Sequence, residues 1–155
     1  MALEIERKFL IASPDWRGLV TQTRRLRQAY LANNDRVSVR VRIDGREAAR
    51  LTVKTANASV ERHEFEYPIP VDDAEDLLLQ REGVLIIKTR HIVPIGPLVW
   101  EIDTFENENA GLSIAEIELE RPDQVLERPV WLGEEITHDR RYYNAQLAKN
   151  PFSRW

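Results

Sequence analysis

Charged residues recur two positions apart within several short segments of this chain. The first such segment contains Glu4, Glu6 and Lys8, and a late one contains Glu116 and Glu118. The segments between them carry Arg40 and Arg42, Thr52 and Lys54, Arg62 with Glu64 and Glu66, Lys88 and Arg90, and Glu101 and Asp103. Carboxylate oxygens are ligands that Mg²⁺ prefers, and arginine and lysine side chains bind phosphate oxygens. The chain therefore combines, in one repeating pattern, groups suited to a divalent cation and groups suited to a phosphorylated anion.

The spacing of these residues predicts β-strands. Side chains alternate between the two faces of a strand, so residues two positions apart share a face. In the first segment, the charged face of Glu4, Glu6 and Lys8 lies opposite Ile5 and Phe9. Similar alternation predicts strands at Leu3–Ile11, Arg25–Ala32, Arg36–Ile43, Ala49–Thr55, Ser59–Pro68, Leu85–Ile92, Leu98–Phe105 and Ser113–Glu120.

Four other segments are predicted to be helical. Val71–Glu82 has Asp72 as a capping residue, Glu75 three residues later and Gly83 as a stop signal. The other three are Pro14–Val20, Pro122–Leu126 and Arg141–Lys149. Together these elements predict a mainly β, α+β fold. We expect a closed eight-stranded antiparallel β-barrel with helices packed outside it and a helix at the C-terminus.

The charged strand faces allow two interpretations. An antiparallel sheet with one solvated face alternates in the same way, and for any single strand that explanation suffices. Solvated faces normally include Thr, Ser, Gln and Asn, however, whereas these faces consist almost entirely of Glu, Asp, Arg and Lys. If helices cover the apolar side of a closed barrel, the charged side must face its bore. We therefore expect a charged tunnel.

Such a tunnel would be unfavourable without a ligand, because removing an ion from water is costly even after the protein relaxes. The inward set contains seven basic and eight acidic side chains, so an anion alone would meet repelling carboxylates. A divalent cation resolves this conflict, since Mg²⁺ is commonly held by one or two carboxylates together with substrate phosphates. The three histidines fall between or outside the charged positions, and we expect ordinary surface or packing roles for them.

Composition limits the classes of protein to which the chain can belong. Its 155 residues suffice for one domain, which we place at residues 1–155. The absence of cysteine excludes disulfides, zinc thiolate sites and cysteine nucleophiles. A net charge of −4 gives no support for nucleic-acid binding. No leader and no apolar stretch near the roughly 20 residues that cross a bilayer is visible, so we expect a cytoplasmic protein without a membrane partner.

In their order along the chain, the charged segments resemble one known family. Glu4-Ile5-Glu6-Arg7-Lys8 matches the ExExK signature that opens the CYTH, or triphosphate tunnel metalloenzyme, superfamily. The later matching segments are Gln28–Leu31, Arg40–Arg42, Leu51–Lys54, Arg62–Glu64, Lys88–Arg90, Glu101–Asp103 and Glu116–Glu118. The tail, with Gly133–Thr137 followed by Arg141, Tyr142 and Asn144, resembles the ending of the small bacterial inorganic triphosphatase branch. Ala29 stands where that branch often has glycine.

The resemblance implies an eight-stranded antiparallel tunnel that binds triphosphate with Mg²⁺ or Mn²⁺. The implied metal ligands are Glu4, Glu6, Glu116 and Glu118. The implied substrate-binding residues are Lys8, Arg40, Arg42, Lys54, Lys88 and Arg90. With Glu64 and Asp103 as further ligands or water-positioning groups, the implied catalytic set is Glu4, Glu6, Lys8, Glu64 and Asp103. The implied reaction is metal-dependent hydrolysis of inorganic triphosphate to pyrophosphate and phosphate.

Several points stay open at the level of the sequence. The superfamily also includes class IV adenylate cyclases, thiamine triphosphatases and RNA triphosphatases, and fold alone does not choose among them. A polyphosphate-binding module without catalysis is a further class, although a pure anion binder would gain nothing from so many acidic residues. Tyr30 could face the tunnel or pack in its wall. Whether the protein forms a homodimer is also left open.

Overall fold

The computed structural model describes residues 5–56 and 62–155. Antiparallel strands dominate this part of the chain, and two short helices and several 3-10 turns connect them. The strands are Ile5–Ile11 (β1), Gln22–Asn33 (β2), Val37–Asp44 (β3), Ala48–Ala56 (β4), Arg62–Ile69 (β5), Glu82–Ile95 (β6), Leu98–Phe105 (β7), Ser113–Leu119 (β8) and Leu132–Glu135 (β9). The helices are Val71–Leu78 (α1) and Asn144–Lys149 (α2).

The strands of the described residues form one nine-stranded sheet in the order β5-β4-β3-β2-β6-β7-β8-β1-β9. Neighbouring strands are antiparallel throughout. Within the described residues, the edge strands β5 and β9 are not hydrogen bonded to each other. The prediction of a mainly β antiparallel fold with a few helices is correct. The prediction of a closed eight-stranded barrel is wrong, because the sheet is open and has a ninth strand.

The open sheet has identifiable causes. Strand β1 pairs with β8 on one side, and the four-residue β9 occupies its other edge at Phe9 and Ile11, so that part of the edge is not free for β5. On β5, Pro68 has no backbone N–H to donate to a further strand. Side-chain alternation reports which face a residue occupies, whereas closure depends on the number, tilt and stagger of the strands. The pattern that predicted the strands therefore carried no information about closure.

Helix α1 covers part of the apolar side of the sheet. Its Leu78 is buried in the same apolar cluster as Val41 and Ile43 of β3. Burial of apolar surface contributes about 25 cal/mol per Å² to folding, so this contact favours one orientation of the strand. Arg40 and Arg42 alternate with the two buried residues along β3 and therefore point to the opposite side. The packing of α1 thus fixes the face on which the two arginines stand.

Element boundaries differ from the sequence predictions in several places. Helix α1 ends at Leu78, because β6 begins at Glu82 and pairs with β2 from there. Residues 122–126 form a turn followed by chain without regular secondary structure instead of a helix. The C-terminal helix begins at Asn144, after a 3-10 turn at Arg140–Tyr142. In the described part of the chain, no helix has the length and apolar character needed to span a membrane.

Candidate functional site

The charged strand faces line a cavity of about 680 Å³. Among the described residues, seven basic and three acidic side chains contribute to its wall. The basic residues are Lys8, Arg40, Arg42, Lys54, Lys88, Arg90 and Arg140, and the acidic residues are Glu6, Glu101 and Glu116. This part of the wall is therefore strongly positive, whereas the sequence suggested a nearly balanced tunnel. Clefts lined by one sign of charge concentrate ions of the opposite sign.

Arg40 carries a hydrogen-bond donor that lacks an acceptor. It lies opposite Thr52 of β4 and donates from Nη2 to Thr52 Oγ1 at 3.3 Å. Its Nε atom is buried and has no hydrogen-bond partner among residues 5–56 and 62–155. A buried donor without a partner costs roughly 1–3 kcal/mol. Arg40 also lines the cavity, where its guanidinium group can donate to an acceptor on a bound molecule.

Arg42 is held in a position where its charge is disfavoured. Its Nε donates to Gln28 Oε1 at 2.7 Å. Burial, and then the positive charges of Arg40 and Arg90, lower the pKa of Arg42 to about 10. Because burial and repulsion both oppose the charged form, a bound anion would relieve Arg42. Arg40 and Arg42 together therefore form a site that is incomplete without negative charge.

Lys88 of the cavity wall and Asp103 behind it form an almost fully buried ion pair. Lys88 Nζ lies 2.8 Å from Asp103 Oδ2, and the two side chains are 1% and 2% exposed. Arg90 donates to both carboxylate oxygens of Asp103, each at 2.9 Å. Burial lowers the pKa of Lys88 to about 8. Burial also opposes the charge of Asp103, but Lys88 and Arg90 outweigh it and hold the pKa of Asp103 well below its usual range.

Glu6 of β1 and Glu116 of β8 stand on either side of Lys8. Lys8 Nζ lies 3.7 Å from Glu6 Oε1 and 3.5 Å from Glu116 Oε1. Partial burial and then the charge of Glu116 raise the pKa of Glu6 to about 7, although Lys8 opposes this shift. A nearby cation would stabilise the charge of Glu6, which burial and Glu116 disfavour.

These carboxylates fit a divalent cation that is held partly by substrate. Within residues 5–56 and 62–155, no three acidic or histidine side chains form a cluster that could hold a metal ion. Glu6 and Glu116 supply two oxygen-donor groups, and Mg²⁺ is usually bound by one or two carboxylates plus substrate phosphates and water. The donor set therefore suits a site shared between protein and substrate.

Two of the predicted site residues, Glu118 and Glu64, neither line the cavity nor lie directly behind its wall. Glu118 is exposed and lies opposite Glu6 in the pairing of β1 with β8. Glu64 is exposed and lies opposite Lys54 on the edge strand β5. Glu4 lies outside the described residues. All other predicted site residues line the cavity or lie directly behind its wall.

The C-terminal segment adds side chains that the strand pattern did not reveal. It contributes Thr137, His138, Arg140, Tyr143 and Asn144 to the cavity wall. The ring of Tyr143 has its centroid 4.9 Å from Lys8 Nζ. Because these residues follow β9 and show no alternation, the rule that identified the strand residues did not apply to them. The resemblance of the tail, which included Asn144, was the available signal. Tyr30, left open by the sequence, is buried and lines the cavity.

Solved structures share this fold. A crystal structure of an inorganic triphosphatase matches with a TM-score of 0.75 and 35% identity, over 96% of this chain and 95% of that chain. A protein from Pyrococcus furiosus matches with a TM-score of 0.57 and 18% identity, over 82% of this chain and 82% of that chain. At that low identity the second match shows the fold alone.

Sequence comparison identifies relatives of similar length. An inorganic triphosphatase of Acetivibrio thermocellus is 39% identical over 153 residues, which are 98% of this chain and 97% of that protein. An inorganic triphosphatase of Nitrosomonas europaea is 38% identical over 151 residues, which are 94% of this chain and 96% of that protein. The CYTH domain profile matches residues 2–147. The resemblance seen in the sequence is thereby confirmed, and the chain belongs to the CYTH domain family.

Proposed function

We propose that the protein hydrolyses inorganic triphosphate to pyrophosphate and phosphate in this cavity, with Mg²⁺ or Mn²⁺ as a cofactor. The main support for the proposal is the pair Arg40 and Arg42. Arg40 has a buried hydrogen-bond donor without a partner, and the positive charge of Arg42 is disfavoured by burial and by neighbouring cations. A triphosphate offers several negative charges and oxygen acceptors within one short molecule. Two relatives at 38–39% identity are inorganic triphosphatases, which supports the same substrate.

Six basic residues are proposed to bind the phosphate oxygens. They are Lys8, Arg40, Arg42, Lys54, Lys88 and Arg90, and all six line the cavity. Phosphoryl transfer depends mainly on positioning and on neutralisation of charge. Asp103 holds Lys88 and Arg90 in place before substrate arrives, so their donors need little reorganisation when the phosphates bind.

The carboxylates of Glu6 and Glu116 are proposed to hold the metal ion, with Glu4 and Glu118 as additional ligands. When bound, the cation would neutralise phosphate oxygens and make a water molecule more acidic. Glu118 lies across from Glu6 on the neighbouring strand, so its side chain is on the same face of the sheet. Lys8 partly neutralises Glu6 and Glu116 in the ligand-free protein.

The proposed catalytic set is Glu4, Glu6, Lys8, Glu64 and Asp103, and its members differ in their positions. Glu6 and Lys8 line the cavity and can contact substrate. Asp103 lies behind the wall, so we assign it the role of a positioning residue that orients Lys88 and Arg90. Glu64 is exposed on the edge strand β5, where it would act by positioning water.

The protein is proposed to act as a single domain over residues 1–155, in the cytoplasm, on a small-molecule triphosphate. It is proposed to need neither nucleic acid nor a membrane, in line with its net charge of −4.

A substrate panel tests the proposed function. Inorganic triphosphate, ATP and thiamine triphosphate would each be incubated with the protein and Mg²⁺ or Mn²⁺, and phosphate, pyrophosphate and cyclic nucleotide would be measured. We expect fastest turnover of inorganic triphosphate, with phosphate and pyrophosphate in equal amounts. Faster formation of cyclic AMP from ATP would contradict the proposal and favour a cyclase. Tight binding of triphosphate without turnover would favour a polyphosphate-binding module.

A further inference from the structure

Asn144, the first residue of α2, connects the C-terminal segment to the basic wall of the cavity. Its side-chain oxygen Oδ1 accepts two hydrogen bonds, one from Lys88 Nζ at 3.0 Å and one from Gln28 Nε2 at 3.1 Å. Gln28 is fully buried and in turn accepts a hydrogen bond from Arg42 Nε. Asn144 therefore contacts one proposed phosphate-binding residue directly and is linked to a second through Gln28.

The two cations at the ends of this chain of hydrogen bonds fix the orientation of both amides. Arg42 Nε can only donate, so the side chain of Gln28 must present its oxygen to Arg42 and its amino group to Asn144. Lys88 also can only donate. Asn144 consequently meets donors from two directions, and its oxygen must face both of them.

This orientation leaves the amino group of Asn144 available. Its Nδ2 atom makes no hydrogen bond to any of residues 5–56 and 62–155, and Asn144 is part of the cavity wall. Lys88 and Arg42, which the same residue helps to orient, line the same cavity. A neutral N–H donor thus stands beside Lys88, with Arg42 one amide further away, at the place proposed for phosphate.

We propose that Asn144 is a further substrate-binding residue, an inference that rests on the proposed function. Its Nδ2 group donates a hydrogen bond to a phosphate oxygen of the triphosphate held by Lys88, while its Oδ1 atom keeps Lys88 and Gln28 in position. A hydrogen bond to a charged oxygen contributes more than one between neutral groups. The C-terminal segment is therefore part of the substrate site and not only a cover for it.

Asn144→Asp separates the two roles of this side chain. An aspartate keeps an oxygen that can accept from Lys88 and Gln28, but it replaces the N–H donor with a negatively charged acceptor. We expect the melting temperature of the ligand-free protein to be unchanged or higher. We expect the Kd for inorganic triphosphate, measured by calorimetry in EDTA so that no turnover occurs, to rise at least about tenfold. With Mg²⁺, KM should rise by a similar factor.

Asn109→Asp is the matched control. Asn109 is a buried amide whose Oδ1 accepts a hydrogen bond from the backbone N–H of Phe152 at 2.8 Å, and it does not line the cavity. Its substitution should affect stability while leaving the Kd for triphosphate within about twofold of wild type. An equal loss of affinity in both variants would overturn the inference, because the effect would then come from a disturbed C-terminal segment.

A Lys88→Met protein tests whether Asn144→Asp weakens triphosphate binding only by displacing Lys88. In a Lys88→Met protein, Asn144→Asp should still weaken triphosphate binding, because the donor is lost whether or not Lys88 is present. Unchanged affinity in that background, or unchanged affinity of the single Asn144→Asp variant, would overturn the inference. Asn144→Ala removes the donor without adding a negative charge, so it should also weaken triphosphate binding, by a smaller factor, whether or not Asn144→Asp folds. Triphosphate that binds wild type but is not hydrolysed with Mg²⁺ would contradict the proposed function and leave this binding test intact.

Discussion

Arg90 of β6 and Asp103 of β7 stand directly opposite each other and are joined by two parallel hydrogen bonds of 2.9 Å. Lys88 approaches the same carboxylate from the side, at 2.8 Å. One buried acid therefore serves two of the residues proposed to bind phosphate, and its removal would leave buried positive charges without a counter-ion.

We predict that Asp103→Asn lowers the free energy of unfolding by about 3 kcal/mol, because breaking a buried ion pair leaves an uncompensated charge. Urea denaturation of the ligand-free protein checks this value. Asp139→Asn is the control, since Asp139 pairs with Arg141 at the surface and should change stability much less. Similar effects of the two substitutions would show that Asp103 does not organise the basic wall.

A second prediction concerns pH. The pKa of Lys88 is lowered to about 8, so the free protein loses this positive charge as the pH rises through that value. The KM for triphosphate should then rise by up to about tenfold per pH unit, as for the loss of one proton. Lys88→Met should bind weakly at all pH values and lack this step. A wild-type KM that stays flat from pH 7 to pH 9.5 would contradict the prediction.

The same titration affects stability in the opposite direction. The folded pKa of Lys88, about 8, is below its ordinary value of 10.5, so between these values the unfolded chain binds more protons than the folded one. The contribution of Lys88 to stability is therefore present above pH 10.5 and is lost as the pH falls through 8. Subtracting the Lys88→Met curve from the wild-type curve of unfolding free energy against pH isolates this term. A difference in unfolding free energy that falls as the pH rises from 8 to 10.5 would contradict the predicted sign.

Two acidic residues of β8 differ in exposure, so we predict that their substitution affects turnover differently. Glu116 lines the cavity next to Lys8, whereas Glu118 is exposed. Glu116→Gln should lower turnover of triphosphate on the order of 100-fold and raise the metal concentration required, because it removes a ligand charge without changing volume. Glu118→Gln should have a smaller effect. Turnover measured across a Mg²⁺ titration compares them, and equal losses would place both side chains at the metal.

Much of the fold and of the site could be predicted from side-chain alternation. The bounds of β7 were predicted correctly, and Arg40, Arg42, Lys54, Lys88 and Arg90 all line one cavity. Alternation reports the face of a residue but not its depth. It therefore did not reveal that Asp103 is buried behind the wall while Glu64 and Glu118 are exposed.

Other features lay outside what alternation can report. The short strand β9 pairs with β1, so it depends on contacts distant in sequence. The same holds for Asn144, whose proposed role follows from hydrogen bonds to Lys88, 56 positions away in the sequence, and to Gln28, 116 positions away. These features depend on tertiary packing, which periodicity within a segment does not encode.

The positive cavity wall is proposed to bind triphosphate for hydrolysis, and substitution of Arg40 tests this proposal. The measurement is kcat/KM for inorganic triphosphate with Mg²⁺, for Arg40→Ala and for Arg17→Ala. Arg17 is an exposed arginine that lies over the ring of Trp16, away from the cavity. We predict a loss on the order of 100-fold for Arg40→Ala, since about 2 to 3 kcal/mol of charge-assisted hydrogen bonding to phosphate is removed, and no change for Arg17→Ala. Equal kcat/KM in the two variants would contradict the account.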